Sequence, residues 1–341
     1  EGMWIKNERT WRRQISSILY RFKCEVLWIN LIDLLHGDCL IESDKIESGS
    51  VDLILTDLPY GNMNTDGGRK LGINGWDLAI EPKKVYEIAN RILRKNGKMI
   101  LFSQEPYTTK LITEAIPNIP FNYRATWEKD NFAVALGAKV NMVSFTEDIL
   151  IFSKNYDFEG LHPLRDYFKQ VFEFIGGTKK YIIDVIGQRA DHVFRFKSSQ
   201  FELCKYETYL DLIKYFQINN MNGFLNFAEL ERINKKYNST FNLWEGNKYK
   251  SNILKYKKDY DGHHPTQKPV LLLEDLIKTF SNENDLVVDF TMGSGSTLVA
   301  CQNTNRKGIG IEQDETYFKI AQDRLKENYY KLFWLYSYYL W

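Results

Sequence analysis

Short apolar runs alternate along the chain with segments whose apolar residues recur at helical spacing. Val51 to Thr56 is an apolar run ending in a turn, the pattern of a buried strand. Pro82 to Arg94 predicts a helix, because Pro82 suits a first turn and Val85, Ile88, Ala89, Ile92 and Leu93 share one face. Asn96-Gly97 stops it, and Lys98 to Phe102 predicts the next strand. Tyr107 to Ile116 predicts a helix closed by Pro117, and Tyr123 to Trp127 and Asp148 to Phe152 predict further strands. From His263 the alternation resumes, with a helix over Pro269 to Phe280 and a strand over Asp285 to Phe290. A glycine turn (Gly293 to Gly295), a helix from Ser296 to Gln302, a strand over Lys307 to Glu312 and a helix over Thr316 to Glu327 follow. Strands and helices in this alternation predict an α/β fold.

Residues 155–260 break the pattern. They are rich in Asn, Lys and Tyr and mainly helical in spacing, as over Glu207 to Phe216 and Phe227 to Lys236. The expected organisation is an extension without a motif over 1–27, one α/β half over 28–154, an inserted helical module over 155–260, a second α/β half over 261–328, and a tail over 329–341.

Composition narrows the classes. The 341 residues are 44% hydrophobic, enough for a sizeable core, and the net charge of +1 excludes a general polycation. A nucleic-acid surface must therefore be local. Between Arg232 and Lys258 eight basic residues face the single acid Glu245, interleaved with Tyr237, Phe241, Trp244, Tyr249 and Tyr256. Such a stretch suits phosphate and base contact, and a solvated face is the plain alternative. Lys248, Lys250, Lys255 and Lys257 are the candidate DNA contacts. Cys24, Cys39, Cys204 and Cys301 form no CxxC pair and the five histidines have no ligand spacing, so no disulfide framework and no metal site are expected. No apolar run suits a signal peptide or a membrane span, so the expected setting is soluble, reducing and cytoplasmic.

Two segments carry chemistry. Leu286 to Thr297 reads strand, glycine turn, helix start, and Gly293 and Gly295 would let the backbone approach a ligand. The next strand ends at Glu312, 19 residues after Gly293, where a βαβ nucleotide site places an acid on ribose hydroxyls. NAD and S-adenosylmethionine both carry that ribose. The third glycine of a GxGxxG turn is missing, which favours S-adenosylmethionine, a ligand without a pyrophosphate. Far upstream, Thr56-Asp-Leu-Pro-Tyr-Gly61 follows a strand directly. An exocyclic amine of adenine or cytosine is a poor nucleophile, because its lone pair is delocalised into the ring. The Asp57 carboxylate and the Leu58 carbonyl, held extended by Pro59, could accept its two hydrogens and expose the lone pair. Tyr60 offers an aromatic face to a base taken out of the stack. An ordinary strand-to-turn transition is the bland alternative.

Together these segments resemble the N6-adenine/N4-cytosine DNA methyltransferase family, in its order of catalytic motif, target-recognition region, then cofactor motif. His36-Gly-Asp-Cys39, the approach Gly49 to Gly61, Trp127-Glu-Lys129, Glu147 to Phe152 and His264-Pro-Thr-Gln-Lys-Pro269 are similar to further blocks of that family. The resemblance implies a Rossmann-like, mostly parallel sheet with helices on both faces, S-adenosylmethionine as methyl donor, and a target-recognition role for 155–260. It implies Asp57, Leu58, Pro59 and Tyr60 as the catalytic segment. It implies a cofactor set of Asp38, Asp57, Thr266, Lys268, Asp289, Phe290, Gly293, Gly295, Ser296, Thr297 and Glu312, with Thr266 and Lys268 near the amino-acid moiety. One departure is Leu58, where the family's usual motif reads DPPY. A residue that contributes only its carbonyl tolerates that change, and a phage-type branch also carries Leu there. The expected activity is sequence-specific methylation of adenine N6 in double-stranded DNA, within a restriction-modification setting. Cytosine-N4 methylation, a DNA-binding protein of this fold without catalysis, an NAD-dependent enzyme and assembly as a homodimer stay open.

Overall fold

The computed structural model describes residues 31–60, 79–132, 139–140, 142–260 and 267–339. Among the described residues eight strands form one sheet: β1 (Ile32–His36), β2 (Val51–Thr56), β3 (Leu93–Ser103), β4 (Phe121–Glu128), β5 (Thr146–Ser153), β6 (Ile253–Lys255), β7 (Leu286–Asp289) and β8 (Lys307–Glu312). Their order is β1-β8-β7-β2-β3-β5-β4-β6. The run from β1 to β3 is parallel. Strand β5 is antiparallel to both β3 and β4, and β6 adds to β4 in parallel.

The centre of this sheet is β2, which is buried along its whole length. A strand covered on both faces needs no polar alternation, which is why Val51 to Thr56 reads as a continuous apolar run. Its side chains still alternate between two cores. Ile54 packs with Val288 and with Val85, Tyr86 and Ala89 of helix α2 (Pro82–Ile92). Leu53 and Leu55 pack on the other face with Leu272, Leu273 and Leu276 of helix α8 (Val270–Phe280). The short helices α1 (Cys39–Glu42) and α3 (Tyr107–Thr113) follow β1 and β3, and α9 (Ser296–Asn303) and α10 (Glu315–Tyr339) flank β8.

Three differences from expectation bear on the core and the inserted segment. The predicted helix over Pro82 to Arg94 ends at Ile92, and β3 starts at once. Arg94 turns inward instead, donating to the buried Asp52 carboxylate at 2.5 Å. The last helix continues past Glu327 to Tyr339, so residue 329 marks no element boundary. The third difference concerns residues 155–260, expected as a single helical module. Helices α4 (Leu164–Ile175), α5 (Lys179–Ile186), α6 (Tyr206–Phe216) and α7 (Phe227–Lys235) do share a separate core of Phe168, Val171, Ile182, Tyr209, Leu212 and Leu230. The following arm belongs to the sheet, because Ile253–Lys255 pair with Thr126 to Glu128. A buried carboxylate pins that arm: Asp275 of α8 accepts from Trp244 Nε1 at 2.9 Å, Lys250 Nζ at 2.6 Å and Tyr256 OH at 2.9 Å.

Candidate active site

Both chemical segments leave the same end of the sheet, because β2 and β7 are adjacent and parallel. Ligands of open α/β sheets lie at this carboxyl edge. Two hydrogen bonds join the segments there. Thr56 Oγ1 donates to Asp289 Oδ1 at 2.8 Å, and Thr291 Oγ1 donates to the Asp57 carbonyl at 2.9 Å. The catalytic turn and the glycine turn are thus held by each other.

Around Asp57 lies a chain of alternating charges. The Lys268 ammonium donates to Asp57 Oδ2 and stands 2.9 Å from Glu147 Oε1. Lys129 Nζ stands 2.7 Å from Glu147 Oε2. Tyr60 OH shares its one proton between Asp57 Oδ1 at 2.6 Å and Glu147 Oε1 at 3.2 Å, with Asp57 the nearer acceptor. Burial pushes the Asp57 carboxyl up, against the opposing pull of the Lys268 ammonium. Burial also acts on Glu147, but Lys268 and Lys129 together outweigh it and hold that carboxyl below the usual range. For Lys268 burial opposes the charge, while Asp57 and Glu147 hold it above its ordinary value. Burial and the two carboxylates hold the Tyr60 phenol well above its ordinary value, so it serves as a donor. The result is a closely hydrogen-bonded network at the end of a rigid strand.

The glycine turn opens α9 beside Glu312. Gly293 and Gly295 have φ of 51° and 78°, the left-handed region that favours glycine. Gly293 N–H donates to Glu312 Oε2 at 2.9 Å, and Asp314 N–H donates to Glu312 Oε1 at 2.8 Å. Gln313 N–H also bonds this carboxylate, which keeps further acceptor capacity of the kind a ribose diol requires. Burial raises the Glu312 carboxyl, against the backbone hydrogen bonds that favour its charge. Asp38, just after the neighbouring strand β1, caps α1 by accepting from Leu40 N–H at 2.9 Å. An acid for ribose hydroxyls, a glycine turn opening α9 and a second acid beside the next strand fit the nucleoside of S-adenosylmethionine.

Other expected residues make contacts within the chain. The Asp289 carboxylate is 4% exposed and is spent on Thr56 and on Thr291 N–H at 3.1 Å, so it is a strut between strands. Thr297, at 5% exposure, bonds that same carboxylate from α9. Phe290 is core. Ser296 Oγ receives Arg324 Nη1 of α10 at 2.8 Å. Lys268, expected beside the cofactor's amino-acid moiety, is held on Asp57 and Glu147. Thr266 lies outside the described residues. Among the candidate DNA contacts, Lys248, Lys255 and Lys257 are exposed. Lys250 is not a free contact: its side chain is 10% exposed and committed to Asp275. Among the described residues no group of acids, histidines and cysteines could hold a metal ion, and no helix is long and apolar enough to cross a membrane.

Sequence reasoning gave no individual role to Glu147, Lys129 or Thr291. The available signal was a pair of opposite charges, Lys129 just after β4 and Glu147 near the start of β5. Both are nearly fully buried, at 6% and 5% exposure, and buried charges occur in pairs.

A strand-end acid held beside a glycine turn of this kind defines a class, the enzymes that move a group from a nucleoside cofactor. Residues 51–323 match the DNA methylase family, and the chain belongs to it. Its relatives include the type II methyltransferase M.HpaI of Haemophilus parainfluenzae, 26% identical over 288 residues that cover 84% of this chain and 71% of that protein. The DNA adenine methyltransferase YhdJ of Escherichia coli strain K12 is 26% identical over 299 residues, 86% of this chain and 82% of that protein. The type II methyltransferase M2.LlaDCHI of Lactococcus lactis subsp. cremoris is 25% identical over 309 residues, 86% and 89% of the two chains.

Proposed function

We propose that the protein is a site-specific DNA methyltransferase that uses S-adenosylmethionine to methylate adenine N6 in double-stranded DNA. The observation that carries this reading is the junction of β2 with β7, which sets Asp57 beside the glycine turn through Thr56, Asp289 and Thr291. Adenine is favoured by the acid at the first position of the catalytic segment and by the name of the YhdJ relative. Bound S-adenosylmethionine supplies an electrophilic methyl group on a sulfonium.

The chain's own residues do the rest. Glu312 accepts the ribose hydroxyls, and the glycine turn leaves room for the nucleoside. The Asp57 carboxylate accepts one hydrogen of the target amine and the Leu58 carbonyl accepts the other. Their pull localises the nitrogen lone pair and aims it for in-line attack. Tyr60 stacks on the extruded base, its ring held by the hydroxyl bonds to Asp57 and Glu147. Lys248, Lys255 and Lys257, exposed on and beside the arm, take backbone phosphates, while α4 to α7 supply target recognition. The activity belongs in the cytoplasm, where bacterial DNA lies.

Modified-base sequencing of DNA from cells expressing the protein tests this directly. The expected result is N6-methyladenine confined to one short motif and absent with Asp57→Ala. N4-methylcytosine would overturn the choice of base, and unmodified DNA would leave a binding protein of this fold.

A further inference from the structure

We propose that Glu147 is a positioning residue for methyl transfer, acting on Asp57 through Lys268 and Tyr60. This rests on the reading of Asp57 as the acceptor for the target amine. Glu147 stands at the start of β5, opposite Trp127 in the β4–β5 ladder, and is 5% exposed. A buried carboxylate at a sheet position is expensive unless it is paired. This one is paired three times, with Lys129, Lys268 and Tyr60.

Two of those partners also touch Asp57, one on each carboxylate oxygen. Lys268 holds Oδ2 and Tyr60 holds Oδ1. A carboxylate gripped on both oxygens has no freedom to rotate, and each oxygen still offers one lone pair to an incoming amine. Tyr60 reaches Asp57 from the same strand-end segment, three residues on. Lys268 arrives from the segment before α8, and its long flexible stem has its ammonium between two carboxylates and 5.1 Å from the centroid of the Phe102 ring. Without Glu147 the ammonium would keep one anionic partner instead of two, and the Tyr60 hydroxyl would swing on a single bond.

The charges on every packed element follow from the same geometry. Asp57 faces Lys268, Glu147, Tyr60 and, across β7, Asp289. Glu147 faces Lys268, Lys129 and, from the arm, Lys258. Lys129 offsets the second carboxylate, so the chain Lys129–Glu147–Lys268–Asp57 is neutral as a whole. Removing Glu147 removes a like charge from Asp57 and leaves the Lys268 charge to Asp57 alone. Both effects favour the ionised form of Asp57, so its titration moves to lower pH.

The test is Glu147→Gln beside Glu147→Asp and Asp57→Ala, each assayed on the duplex identified by modified-base sequencing. For Glu147→Gln we expect kcat to fall about 100-fold through misplacement of the acceptor. Its acid limb should move down by about one pH unit, with calorimetric affinity for S-adenosylhomocysteine within twofold of wild type. Glu147→Asp keeps the charge but is one methylene shorter. It should keep the wild-type acid limb and still lose about tenfold in kcat. Wild-type kcat and acid limb in Glu147→Gln, with Asp57→Ala inactive, overturn the proposal alone. A fall in kcat with an unmoved acid limb and a lowered melting temperature makes Glu147 merely structural and overturns it too. If Glu147→Gln does not fold, wild-type kcat in Glu147→Asp overturns it. Turnover by Asp57→Ala overturns instead the reading of Asp57 beneath it.

Discussion

Replacing Glu312 by Gln isolates the hold on the cofactor's ribose. The wild-type carboxylate anchors Gly293 N–H at 2.9 Å and Asp314 N–H at 2.8 Å, and its remaining acceptor capacity is offered to the diol. Gln keeps the shape and one acceptor. Its other terminal atom becomes an NH2 donor that faces a backbone N–H and cannot receive a ribose hydroxyl. A hydrogen bond to a charged group contributes about 1.5–3 kcal/mol, so losing one weakens binding about 10- to 150-fold. Isothermal titration with S-adenosylmethionine measures this. The pH series adds a second check. Burial raises the Glu312 carboxyl, and only its ionised form accepts both hydroxyls. Wild-type affinity should therefore fall as the pH drops toward that raised value, and the Gln variant should lose this fall. Wild-type affinity in Glu312→Gln, or the same acid decline in both proteins, refutes the assignment.

Asp57→Ala should abolish methylation while leaving S-adenosylmethionine affinity within a few-fold, and wild-type turnover on cognate DNA would remove its acceptor role. Replacing Lys248, Lys255 and Lys257 with Ala should weaken DNA binding at every sequence and flatten the salt dependence by about 0.9 for each phosphate no longer neutralised; an unchanged slope would make them a solvated face. Lys250→Ala should instead destabilise the fold by about 1–3 kcal/mol, because it strips a hydrogen-bonded charge from buried Asp275, and a wild-type melting temperature would contradict that. Burial pushes the Asp289 carboxyl up to about 6. A carboxyl raised in the folded state gives stability that is complete below about pH 4 and lost as the pH climbs through about 6. The span is about 3 kcal/mol for two pH units, and urea unfolding at both ends of it should show the dependence vanish in Asp289→Asn.

The strands around the site were legible because they are central. A strand covered on both faces is mostly apolar, as Leu53 to Leu55 are, with buried Asp52 and Thr56 each paired. The glycine turn and Glu312 were legible through spacing, since a βαβ unit sets the distance between them. Strand β6 was hidden by its composition: Ile253-Leu-Lys255 is short, with both flanking positions exposed at the sheet's edge, so no periodicity marks it. The charge chain was hidden for another reason. Glu147 meets Lys129 across the antiparallel β4–β5 pair and Lys268 only after a long excursion of the chain, and no local pattern encodes such a meeting. Lys250 misled because a basic residue in a basic stretch looks solvent-facing, and its partner Asp275 lies on a helix beneath the sheet.

The pinned arm decides where this protein could be given a new address. Exchanging recognition modules between related enzymes is a natural engineering route, and the sequence suggests cutting at residues 155 and 260. A graft with that second cut would carry off β6, the lid over Asp275, and the Tyr256 carbonyl that receives Trp127 Nε1 at 2.8 Å. The recipient would be left with a raw sheet edge and an orphaned buried acid. A seam before Asp157 keeps its buried pair with Arg165 inside the transplanted helices, and a seam before Asn242 leaves the arm with the other half.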